Sequence, residues 1–189
     1  MDGLGALAIN RDNANLVRAA TAGDRAAFDQ LMELHAGQVY RLALRMLGNR
    51  EEAEDVQQDT FVQAFRRLRN FRGEAPFRAW VCAIAARNCL MRMRRSSRRP
   101  EQAPEEVAAY ASAGLDVHEQ VGSLALAARV QRALAALSPP DRLLIVLKYV
   151  EQFSHEQIAQ VLGCSVESSR SRLLRAKRLF REHYQRMES

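Results

Sequence analysis

Apolar residues recur at three- and four-residue spacing along most of this chain, and glycines, prolines and small polar caps cut the recurrence into helix-sized lengths. Asn13 to Ala22 reads as a short helix closed by Gly23. Asp24 caps the next, in which Phe28, Leu31, Met32, His35, Val39, Leu42 and Met46 share one face until Gly48 ends it. Asn49 caps a third helix, Arg50 to about Asn70, with Ala53, Val56, Thr60, Phe61, Ala64 and Leu68 inward. Phe71 to Ala75 is a loop. Pro76 stands at the first position of a fourth helix whose inner face holds Phe77, Trp80, Val81, Ile84, Ala85 and Asn88. Ser123 caps a fifth, with Leu126, Val130, Ala133, Leu134 and Leu137. Ser138-Pro139-Pro140-Asp141 starts a sixth, and Leu143 to Val150 is apolar nearly all round, which marks the centre of a small bundle.

The last stretch is the most informative. Ser154 with Gln157 forms a capping box, and Ile158, Val161 and Leu162 give the helix an apolar face. Gly163 supplies a left-handed stop, and Ser165 caps a second helix. That helix sets Val166, Leu173, Ala176 and Phe180 inward and carries Arg170, Arg172, Arg175, Lys177, Arg178 and Arg181 elsewhere. This is a helix-turn-helix pattern whose basic second helix suits the DNA major groove. Ser169 falls on the inward face, where an apolar residue is the norm. Its hydroxyl can bond back to a carbonyl one turn earlier.

Charge adds a second layer. The net charge is +6, which favours a polyanionic partner, and its sign is segregated along the 189 residues. The third helix is acidic early (Glu51, Glu52, Glu54, Asp55, Asp59) and basic late (Arg66, Arg67, Arg69). The helix dipole alone favours that order; a negative docking patch is the functional alternative. From Ala75 to Pro100 there is no acid, and Arg87, Arg92, Arg94, Arg95, Arg98 and Arg99 follow the aromatics. Such a helix suits a nucleic-acid strand, with bases stacked on rings and phosphates held by guanidinium groups. Phe77 and Trp80 also fit ordinary core positions. Residues 100–123 then contain no Lys or Arg but five acids, with two prolines and two glycines, the composition of a tether.

Other chemistry is not signalled. Cys82 and Cys89 lie about 10.5 Å apart along one helix, beyond the roughly 7 Å a disulfide spans. No Cys/His cluster suggests a metal, and no nucleophile–base set or carboxylate pair suggests catalysis, so neither a cofactor nor an enzyme is expected. His35 reads as a packing residue. No apolar run approaches the roughly 20 residues that cross a bilayer, and the N-terminus lacks the features of a signal peptide, so the expected location is the cytoplasm.

Two blocks carry a family resemblance: YRLALRMLGNREEAEDVQQDTFVQAFRRLRNFRGEAPFRAWVCAIAARN, and ALAALSPPDRLLIVLKYVEQFSHEQIAQVLGCSVESSRSRLLRAKRLF. In this order, across an acidic linker, they resemble the extracytoplasmic-function (ECF) sigma factors of bacterial RNA polymerase. The resemblance covers about Asp24 to Tyr184. It implies an all-α fold of two small helical domains joined by a flexible acidic linker, the second ending in the helix-turn-helix. The boundaries would be 12–99, 100–123 and 124–186. Glu54, Asp55, Gln57, Gln58, Asp59 and Phe61 would bind the clamp of the core polymerase's largest subunit.

Phe71, Arg72, Trp80, Arg87, Asn88, Arg92, Arg94 and Arg95 would open and hold the minus-ten promoter element, with Phe71 at a flipped base. The family often has Asn where this chain has Arg87, with Asn88 next, which leaves open the base that is captured. Arg170, Ser171, Arg172, Leu174 and Arg175 would read the minus-thirty-five element. The linker would thread the RNA-exit path, and an anti-sigma protein would cover both domains until a signal releases them. Outside the family, the same residues suit a dimeric helix-turn-helix regulator or a helical adaptor.

Overall fold

The computed structural model of the chain describes residues 14–96 and 117–187, and every regular element among them is helical. A short helix, α1, covers 14–21. α2 (Arg25–Leu47) starts where the Asp24 carboxylate accepts from Ala27 N at 3.2 Å, and ends at Gly48 with φ 76. α3 (Arg50–Arg67) starts where Asn49 Oδ1 accepts from Glu52 N at 2.9 Å. It stops earlier than the sequence suggested. The chain tightens to a 3₁₀ turn over Leu68–Asn70, because the turn tucks Leu68 into the core.

α4 (Phe77–Ser96) follows. Pro76 precedes its first residue rather than occupying it, and the Pro76 carbonyl accepts from Ala79 N and Trp80 N at 2.9 and 3.1 Å. Helices α2, α3 and α4 pack mutually around Leu31, Leu42, Met46, Val56 and Val81, all fully buried. Each such side chain contributes about 1.5–3 kcal/mol of transfer free energy.

α5 spans Val117–Ala135, so Ser123 is no cap: the helix already runs through it and absorbs Gly122, whose cost there is only about 1 kcal/mol. Leu126 on this helix is 51% exposed and leaves the expected core face. α6 (Pro139–Ile145) is capped by Ser138 and widens into a π turn over Val146–Val150. α7 (His155–Leu162) and α8 (Val166–Gln185) complete the second unit, with α8 packed on α5, α6 and α7. The two units share a face: α7 and α6 lie on α4, and α5 and the π turn lie on α2. Most of the tether expected over 100–123, and all of 1–13, lie outside the described residues.

Candidate functional site

Three surfaces carry the candidate residues. The first is the outer face of α3. Glu54, Asp55, Gln58 and Asp59 are exposed there, while Gln57 is half-buried and donates to Ala36 O at 2.7 Å. Phe61 points the other way: at 6% exposure it belongs to the core, because its position follows Ala53 and Val56 on the inward stripe. As a direct surface contact it is withdrawn.

The second surface is α4 with the loop before it. Phe71 is half-buried, its ring 4.9 Å from Trp80 and 5.9 Å from Phe77 by centroids, and the last two are 5.5 Å apart. Three rings thus meet at the N-terminal mouth of α4. Phe77 is buried core; Phe71 and Trp80 keep partly open faces. Arg72 is exposed beside Glu74, and Arg87, Arg94 and Arg95 are exposed along α4. Arg92 is already engaged: Nη1 lies 3.1 Å from Asp55 Oδ2 and Nη2 lies 3.5 Å from Asp59 Oδ2. One arginine of the basic helix therefore ties it to the acidic face of α3.

Asn88 is 4% exposed. Its Nδ2 donates to Thr60 Oγ1 at 3.2 Å and its Oδ1 accepts from Gln63 Nε2 at 3.0 Å. Both ends of the amide are spent inside the fold, so Asn88 is withdrawn as a DNA contact, while its neighbour Arg87 faces out.

The third surface is the helix-turn-helix. The capping box at α7 is complete, with Gln157 N donating to Ser154 Oγ at 3.2 Å and Ser154 N donating to Gln157 Oε1 at 2.9 Å. Gly163 has φ 61, and Ser168 N donates to Ser165 Oγ at 3.1 Å to start α8. Ser169 is fully buried; its hydroxyl reaches Val166 O at 2.8 Å and His155 O at 3.3 Å, so it pins α8 to the start of α7. Arg170, Ser171, Arg172, Leu174 and Arg175 are exposed, and Leu174 at 73% is an apolar side chain held out in water. Arg175 also reaches back to Asp141 at 2.8 Å.

These surfaces meet two family descriptions in the expected order. Residues 31–99 match Sigma-70 region 2, and residues 127–180 match Sigma-70 region 4. The chain is 34% identical to the ECF RNA polymerase sigma factor SigM of Mycobacterium tuberculosis, over 88% of this chain and 82% of SigM. The chain belongs to the ECF sigma factors. It is also 34% identical to SigE of Mycolicibacterium smegmatis, over 85% of this chain, spanning 64% of that relative's length. Among solved structures, the sigma factor RpoE bound to the anti-sigma factor NepR from Bartonella quintana matches with a TM-score of 0.66 and 26% identity. That match covers 84% of this chain and 96% of RpoE. The dimeric-regulator and adaptor readings find no support in these matches.

In this sigma factor the buried thiols of Cys82 and Cys89 are pushed up to about 12 by burial, so they behave as packing groups. Among the described residues no cluster of His, Cys, Asp or Glu could hold a metal ion, and no helix is long and apolar enough to cross a membrane. Sequence reasoning passed over four residues that join the two regions: Arg78, Gln131, Arg142 and Glu151. For Arg142 the sequence shows only a charge beside Asp141 where the apolar run from Leu143 begins, which is no distinctive signal.

Proposed function

We propose that this sigma factor binds core RNA polymerase and directs promoter-specific initiation through the three surfaces described. The N-terminal block, expected over 12–99, is the unit for polymerase and the minus-ten element; the linker expected over 100–123 gives way at Val117 to α5, which opens the unit for the minus-thirty-five element, running to 186. Glu54, Asp55, Gln58 and Asp59 present an acidic face to a basic partner, with Gln57 beside it. Phe71 and Trp80 offer ring faces to an unpaired base, and Arg72, Arg87, Arg94 and Arg95 hold its strand, joined by Arg92 when it leaves its carboxylates. Arg170, Ser171, Arg172 and Leu174 face the major groove. A bidentate arginine–guanine contact contributes about 1–3 kcal/mol of discrimination.

The observation that carries this reading is the Phe71–Trp80–Phe77 cluster at the mouth of an arginine-lined helix. No bond chemistry is required of the protein. Single-stranded bases held better than paired ones shift the duplex toward the open form. The setting is the cytoplasm, where polymerase and promoter lie. RpoE is solved in complex with the anti-sigma factor NepR; a protein of that anti-sigma kind would bind this chain and hold it inactive.

The test is transcription by purified core polymerase with and without the protein. New discrete transcripts are expected, and Phe71→Ala should impair promoter opening while leaving polymerase binding intact. Absence of both transcripts and polymerase binding would overturn the proposal.

A further inference from the structure

The exposed side of α8 carries one residue out of keeping with its charge. Between Val166 and Arg181 the only acid is Glu167, among six Arg and Lys side chains. A carboxylate turned toward DNA is repelled by every phosphate within the Debye length of about 8 Å. Glu167 therefore costs affinity for DNA in general.

Stability does not account for it. The helix dipole favours an acid in a first turn. That turn is already secured, since Ser168 N donates to Ser165 Oγ at 3.1 Å, and the fully buried Ser169 hydroxyl reaches Val166 O at 2.8 Å and His155 O at 3.3 Å. The Glu167 carboxylate lies beside Arg170 instead, with Oε1 3.8 Å from Nη1. Their side chains are 81% and 55% exposed, a setting in which an ion pair adds little stability.

Placement is the second observation. Glu167, Arg170, Ser171 and Leu174 follow at three- and four-residue spacing, so they form one exposed patch, away from buried Ser169, Leu173 and Ala176. Helix-turn-helix proteins present the N-terminal residues of this helix to base edges. Glu167 stands in the first turn, and that turn is fixed before DNA arrives.

We propose that Glu167 and Arg170 act together as the reader of one C·G base pair in the minus-thirty-five element. The inference deepens the reading of α8 given above and rests on it. In the major groove cytosine offers the N4 amino donor, and its guanine offers the O6 and N7 acceptors. A carboxylate accepts from N4, and a guanidinium donates to O6 and N7 together. Side by side they complement both halves of one pair. A T·A pair fits them badly: the carboxylate meets thymine O4 or adenine N7, both acceptors, and the guanidinium loses its bidentate partner. At 3.8 Å the two groups attract each other without spending a hydrogen bond, so both keep their bonding capacity for the bases. The cost in general affinity then becomes selectivity, because the carboxylate is compensated only where a cytosine donor meets it.

The experiment uses the full chain bound to core polymerase and a promoter from which that complex starts a transcript, with the minus-thirty-five element randomised. Transcript yield is read for each sequence in the pool. The wild-type chain is expected to favour one C·G pair. Glu167→Ala and Arg170→Ala should each lower that preference about tenfold, at the same pair. The double variant should lose little more than either single one, because the two side chains read as a unit. Glu167→Gln keeps the size and the acceptor and adds a donor for adenine N7, so it should admit adenine where the wild type requires cytosine. A merely structural effect on α8 would not give that gain.

A uniform rise in yield for Glu167→Ala, with every base preference kept, would overturn the proposal and leave the acid as a repulsive charge alone. Relaxation at two different pairs by the two single variants would overturn the joint reading. Arg172→Ala separates these failures from failure of the reading beneath them. If it relaxes a position while the Glu167 variants relax none, this inference alone falls. If no variant of α8 alters any preference, α8 does not read the element and both fall.

Discussion

The guanidinium of Arg175 on α8 lies 2.8 Å from the carboxylate of Asp141 on α6, whose side chain is only 5% exposed. The other oxygen of that carboxylate accepts from the Ser138 hydroxyl at 2.6 Å. One buried carboxylate thus joins the cap of α6 to α8, and Arg175 holds α8 at its angle. Arg175→Ala strands that carboxylate and should cost about 1–3 kcal/mol of stability. Promoter use should then fall on all sequences alike. Arg172→Ala, at an exposed position, should leave stability unchanged and lose activity selectively. Thermal denaturation beside a panel of minus-thirty-five variants separates the two. Selective loss with unchanged stability for Arg175→Ala would return it to base reading.

Asn88 and Arg87 are neighbours with opposite expected behaviour. Asn88 bridges Thr60 and Gln63 inside the core, so Asn88→Ala leaves buried polar groups without partners and should destabilise by about 1–3 kcal/mol. Arg87→Ala removes an exposed side chain, should shift stability by under about 0.5 kcal/mol, and should weaken strand binding. Chemical denaturation with binding to a single-stranded minus-ten oligonucleotide checks both. Loss of binding without loss of stability for Asn88→Ala would contradict its structural role.

The helices were legible because their ends are written locally. Asp24, Asn49, Ser138, Ser154 and Ser165 each cap the helix that the sequence assigns them, and Gly48 and Gly163 stop theirs. The exposed arginines of α8 were legible from periodicity. The burial of Phe61 and Asn88 was legible too, because the apolar periodicity sets both on inward stripes; only the roles that the resemblance assigned them point the other way. Two kinds of feature were not. The ties of Arg92 to Asp55 and of Arg175 to Asp141 join residues more than thirty positions apart, which no local spacing reveals. The junction at Arg78, Gln131, Arg142 and Glu151 depends on how two separately readable units dock, and periodicity within either is silent about it.

His35 makes stability depend on pH. Burial against Phe77, whose ring lies 5.4 Å away, lowers its pKa from 6.5; the charge of Arg78 acts in the same direction, and Gln38 partly opposes it. The folded chain holds this proton less tightly than the unfolded chain. Its contribution is therefore complete above about pH 6.5 and is lost as pH falls below it, by up to about 1.4 kcal/mol per pH unit. His35→Leu should flatten unfolding free energy between about pH 6.5 and 5, the range above ordinary carboxylate titration. An equal decline in both proteins would assign the effect elsewhere.

Gln152 sits at φ 54 between buried Glu151 and Phe153, which tests whether the turn is enforced by its neighbours. An ordinary L-residue in the left-handed region costs about 1–2 kcal/mol, and a β-branched side chain fares worse. Glycine removes that cost but loses more entropy on folding, by roughly 0.5–1 kcal/mol. Gln152→Gly should therefore stay within about 1 kcal/mol of wild type, while Gln152→Val should be destabilised by more than about 1 kcal/mol. Because Gln152 is exposed, neither change removes a packed side chain, and the difference between the variants isolates backbone strain. Both are read by thermal unfolding and by the separation of the two regions. If the turn aims Glu151 and Phe153, Gln152→Val should lengthen that separation and Gln152→Gly should not. Equal separation in the two variants would mean that the junction holds without the turn.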